Sequence, residues 1–94
     1  MHNMEKTYKI KEGFMLRQIG DNYIVVAVGK ASKFNGMISL NESGASLWKL
    51  VLQYHSLDEL VEKMMEIYNI DAETARDDIN NFLKVLEDNG ILEE

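Results

Sequence analysis

The residues able to do chemistry are few and scattered. The 94 residues include two histidines and no cysteine, so thiolate metal sites, disulfides and cysteine nucleophiles are out of reach. His2 lies in a polar, charged start. His55 lies between two helical runs with no second ligand at metal spacing, and is expected as a solvated turn histidine. Gly29-Lys30-Ala31-Ser32 holds the Gly-Lys pair of a phosphate loop but lacks its upstream glycine and following helix. Ser43 and Ser46 have no nearby histidine to act as base. The acid pairs Asp58-Glu59, Asp77-Asp78 and Glu87-Asp88 fall on helical runs, where neighbours point about 100° apart and do not converge on one atom. They read as a solvated acidic face. Of the six methionines, Met64 and Met65 have core spacing, whereas Met37 sits on a short strand expected to be open on one side. No residue is assigned to catalysis, a metal or a cofactor, and the chain reads as a non-enzyme.

The elements that must position any site are bounded by length and charge. Ninety-four residues form one domain, 1–94, with residues 1–7 expected to be frayed. The polar start is not a signal peptide, and no apolar run approaches the roughly 20 residues that span a bilayer. With the missing cysteines, this fits a cytoplasmic protein. The net charge of −6 is uneven. Residues 1–40 carry six Lys/Arg against Glu5, Glu12 and Asp21, whereas residues 41–94 carry thirteen acids against Lys49, Lys63, Arg76 and Lys84. An acidic half repels phosphate backbones, so nucleic acid is a poor partner.

Residues 13–19 alternate, with Phe14 and Leu16 on one face and Met15, Arg17 and Ile19 on the other. Gly20-Asp21-Asn22 is a turn cluster, and residues 23–28 are aromatic and β-branched, which predicts a β-hairpin. Asn35-Gly36 leads a short third strand, residues 37–40. Asn41 then caps a helix from about Glu42 to Gln53, whose apolar positions are Ala45, Leu47, Trp48, Val51 and Leu52. Gly44 in its first turn marks either a close backbone approach or a tolerated defect costing roughly 1 kcal/mol. Ser56 and Glu59 form a capping box for a second helix carrying Leu57, Leu60, Val61, Met64, Met65 and Tyr68. Asp71 caps a third with the stripe Ala72, Ala75, Ile79, Phe82, Leu83 and Leu86, and Asn89-Gly90 stops it. Ile91-Leu92 is expected to pack back as a tail. The fold class is α+β: a winged-helix-like domain with a three-stranded antiparallel sheet followed by three helices. Winged helices suggest DNA binding as the alternative function. The third helix would then be the recognition helix, but five acids against Arg76 and Lys84 oppose it.

Leu40-Asn41-Glu42-Ser43-Gly44-Ala45, followed by Leu47-Trp48, resembles the signature of the PqqD family. Gly13-Phe14, the Ser-capped second helix, Tyr68 before an Asp-capped third helix, and Gly90-Ile91-Leu92 agree with it. The resemblance covers about residues 8–93. It implies a peptide chaperone, or RiPP recognition element. Such a protein binds the leader of a ribosomally made precursor peptide and presents it to a modifying enzyme, often a radical SAM protein. In this family the leader adds antiparallel to the third strand, in the groove beside the third helix. Carried onto this chain, the docking strand is Asn35, Gly36, Met37, Ile38, Ser39 and Leu40.

Helical geometry suggests the facing wall. With Ile79, Phe82 and Leu86 at the core centre, Val85 falls to one side beside Asp78 and Asn81, with Phe82 on the border. Val85 either lines the groove or widens the core stripe. The opposite flank is Arg76, Asn80 and Leu83. The site assignment takes Asp78, Asn81, Phe82 and Val85. Trp48 is expected in the core. The chain is expected as a monomer or a strand-exchanged dimer.

Overall fold

A computed structural model describes residues 7–29 and 38–93 of the protein. Strands β1 (Phe14–Ile19), β2 (Asn22–Ala27) and β3 (Ile38–Leu40) precede helices α1 (Glu42–Gln53), α2 (Leu57–Tyr68) and α3 (Ala72–Asp88). The sheet is antiparallel in the order β1-β2-β3. The α+β class and element order are those expected. The winged-helix description fits loosely, because after α3 the described chain holds only a short tail and no wing.

The hairpin forms at Gly20-Asp21, with Ile19 opposite Asn22. Gly20 has a φ of 61°, and a positive φ at the first of two loop residues is what a II′ turn requires. Phe14 and Leu16 lie opposite Ala27 and Val25, and Ile38 lies opposite Val25. These residues share the face that packs on the helices, with Val25 fully buried. Arg17, Ile24 and Ser39 share the outer face.

The predicted caps are all made. The Asn41 side chain accepts from the Gly44 N–H, Ser56 from Glu59 and Asp71 from Thr74. The Thr74 side-chain and backbone hydrogen bonds hold the Asp71 carboxyl below its ordinary value of 3.8. Asn69 ends α2 in the left-handed region at φ 52°. The glycine at position 44 is a close approach, to side chains rather than to another backbone. A Cβ there would stand 3.2 Å from both Leu40 Cβ and Asn41 Oδ1.

The core joins Trp48, Val51, Leu60, Met64, Ile79 and Leu86 between sheet and helices. A hydrogen bond of 2.7 Å from Tyr68 Oη to Ser46 Oγ ties α2 to α1. Three predicted stripe positions are exposed instead: Leu52, Met65 and Ala72. Each sits at the rim of its stripe, where the helix has turned away from its neighbour.

The chain ends close on each other. Lys11 N–H donates to the Ile91 carbonyl at 2.8 Å and Glu93 N–H to the Lys9 carbonyl at 2.7 Å, with Ile10 opposite Leu92. Ile10, Ile91 and Leu92 are buried. The tail therefore packs back as expected. Thr7, included in the expected frayed start, pairs with Ser56. Tyr8 N–H donates to the His55 carbonyl, and His55 Nδ1 lies 3.1 Å from the Tyr8 carbonyl oxygen. His55 is thus a half-buried tie rather than a solvated turn residue.

Candidate functional site: a strand edge and the open flank of a helix

Antiparallel pairing decides which backbone groups β3 can offer. The Val28 N–H donates to the Gly13 carbonyl. Hydrogen-bonded pairs then recur every second residue, at Met15–Val26, Arg17–Ile24 and Ile19–Asn22. Ile24 thus spends its N–H and C=O on β1, while Tyr23 and Val25 direct theirs at β3. Their partners are Leu40 and Ile38. Ser39 is left with N–H and C=O aimed away from the sheet, along the outer edge of β3. Among the described residues of the proposed docking strand it is the one that presents backbone outward. Asn35, Gly36 and Met37 lie outside the described residues.

The strand is held firmly where it is described. Ile38 and Leu40 pack half-buried on the core while Ser39 stays exposed. Asn41 Oδ1 accepts from Gly44 N–H at 2.8 Å and from Ser43 Oγ at 3.0 Å, locking the turn from β3 into α1. The signature residues therefore brace the edge from its C-terminal end, and Trp48 is core as expected.

On α3 the two flanks differ. Tyr8 and Leu92 close a cleft with Asn80, Leu83, Lys84 and Glu87. On the other flank Asp78 and Asn81 are exposed, and Val85 is 42% exposed. Val85 therefore does not widen the core stripe. Phe82 is buried at 7% within the core cluster, so it supports the flank from beneath. The main neighbours of β3 are β2 and α1, and that of α3 is α2.

The described residues contain no group of three His, Asp or Glu able to hold a metal ion. The surface of α3 carries Glu73, Asp77, Asp78, Glu87 and Asp88, all exposed. Lys84 pairs with Asp88 at 3.6 Å. This surface repels phosphate. No described helix is long and apolar enough to cross a membrane.

One feature escaped the sequence pattern. Phe14, Met15 and Leu16 of β1 and Trp48, Lys49 and Leu52 of α1 line an apolar cleft. Its signal was Leu52, counted into the α1 stripe although it lies at the rim beside Lys49.

Two solved structures share this architecture. TbiB1, in complex with the TbiA(beta) leader peptide, superposes with a TM-score of 0.71 at 22% identity, covering 90% of this chain and 94% of that one. Lasso peptide synthetase B1, complexed with the leader peptide, gives 0.74 at 16% identity, covering 93% and 98%. Identities this low establish the shared fold. No curated protein matches the sequence. The family described as Coenzyme PQQ synthesis protein D (PqqD) matches residues 22–92, from the second strand to the tail. The chain belongs to the PqqD family.

Proposed function

We propose that this protein binds the leader of a ribosomally synthesised precursor peptide by strand addition along β3, and presents it to a modifying enzyme such as a radical SAM protein. The observation that carries this reading is the outward backbone of Ser39, on the edge of a fold that two leader-peptide-bound proteins share. An extended peptide completes the hydrogen bonds of such an edge, and adjacent side chains give selectivity. The docking strand is residues 35–40. The wall is Asp78, Asn81 and Val85, with Phe82 behind them. On the opposite flank the aliphatic residue Leu83 is buried in the core, whereas Val85 is left exposed, which supports this choice of wall.

The protein supplies no catalytic group and takes no cofactor. It works in the cytoplasm, as a monomer or a strand-exchanged dimer, on a precursor that still carries its leader. A DNA-binding role has the acidic surface of α3 against it.

The test is a titration of the isotope-labelled protein with a synthetic leader from a precursor peptide encoded beside it. Saturable shifts at the Ser39 amide and at Asn81 and Val85 are expected. Saturable binding that leaves Ser39 unmoved overturns strand addition, and no binding of such a leader overturns the function.

A further inference from the structure

The sheet has a second edge. β1 is six residues long, twice the length of β3, and pairs only with β2 among the described strands. The hydrogen-bond alternation that turns Ser39 outward on β3 turns Leu16 and Gln18 outward on β1. Natural edges of this length are usually blunted by proline, by lysine, by a bulge or by a covering segment. Here the ladder from Phe14 to Ile19 is unbroken, and Met15 and Ile19 stand 46% and 60% exposed.

A helix lies beside this edge too. The apolar cleft between β1 and α1 has Trp48 at its buried base and Leu52, 55% exposed, at its rim. Lys49 on α1 lines it, and Arg17 stands on the opposite, outer face of β1. Both are exposed, and no described carboxylate pairs with either. The overall charge is −6, so a cationic margin is a local departure.

We infer that the β1 edge is a second docking site, for an extended acidic segment of another protein. Such a segment adds as a fourth strand, its inner side chains entering the cleft over Trp48 and Leu52 and its carboxylates standing on the outer face against Arg17, with Lys49 at the cleft adding to the general attraction for an acidic chain. Charge argues for this occupant over a second copy of the chain. The outward side chains of β1 are Met15, Arg17 and Ile19. A copy paired antiparallel with its faces aligned would offer Arg17 one of these, never a carboxylate, and opposed like charges across strands are unfavourable. The inference concerns the opposite edge from the leader reading, so each stands or falls without the other.

The test uses the full chain and an acetylated, amidated hexapeptide alternating glutamate and leucine, with a lysine–leucine peptide as control. Saturable amide shifts at Leu16 and Gln18, with methyl shifts at Met15 and Leu52, are expected from the acidic peptide alone. Arg17→Glu and Lys49→Glu, both surface changes, should each weaken its binding about threefold, the scale of an exposed ion pair. Equal binding of the lysine peptide overturns the inference. So do shifts confined to Ser39 and α3, or the absence of saturable shifts. Movement of the same β1 amides with protein concentration alone would assign the edge to a second copy instead.

Discussion

The two flanks of α3 carry similar residues and have different fates. Leu83 on one flank is buried at the base of a cleft it shares with Tyr8 and Leu92, whereas Val85 on the other remains 42% exposed. Each is an aliphatic residue next to polar ones. The terminal segments pair with each other through Lys9, Lys11, Ile91 and Glu93, and bring Tyr8 and Leu92 to the Leu83 side. The helix thus has one aliphatic residue committed to the core and one left exposed, on the flank proposed to meet the leader. Substitutions on the two sides should separate folding from binding.

The largest effect is expected on the closed side. Leu83→Ala removes buried methyl groups from the core beside Tyr8 and Leu92 and should cost roughly 2–4 kcal/mol in urea unfolding. A loss below about 1 kcal/mol would mean that the terminal segments can collapse into the space, weakening the contrast. On the binding side, Ser39→Pro removes the outward N–H while sparing the bonds from Ile38 and Leu40 to β2. Proline is tolerated at such edge positions. Leader affinity should fall about tenfold, near 1.4 kcal/mol, with the fold retained. Unchanged affinity by calorimetry would remove Ser39 from the interface.

Val85→Asp should reduce leader affinity about fivefold while changing stability by less than about 0.5 kcal/mol, as expected of an exposed site. If stability falls and affinity does not, the open flank is structural after all. The smallest effect is the pH dependence of the α3 cap. The Asp71 pKa is lowered in the folded state, so the carboxylate stabilises the fold above its ordinary value of 3.8, and that contribution is lost as pH falls through the lowered value. The stability difference between the protein and Asp71→Asn should therefore shrink as pH drops below about 4. A difference constant from pH 6 to pH 3 would show that folding leaves the Asp71 pKa unchanged.

Much of the architecture was legible because it is local. Asn41, Ser56 and Asp71 each stand where a side-chain oxygen reaches an N–H three residues on, and each does so. The Gly20-Asp21 turn fixes the hairpin register, and the register in turn fixes which backbone groups face outward. The site was half legible. The short third strand and the burial of Phe82 could be placed from spacing, but the exposure of Val85 depends on what lies beside α3, which no periodicity encodes. His55 was misread for the same reason. Its partner is the carbonyl of Tyr8, far away in sequence. Leu52 and Met65 fell at helical spacing, yet spacing sets only the direction of a side chain, not whether a neighbour stands there.

By itself, then, the sequence determined the elements, their caps, the signature turn and the acidic helical surface, all of which follow from contacts within a few residues. Tertiary structure decided the closed flank of α3, the open one beside it, and the cleft between β1 and α1. Those features arise where segments distant in the chain meet, and their closure depends on a packing geometry that composition and spacing do not contain.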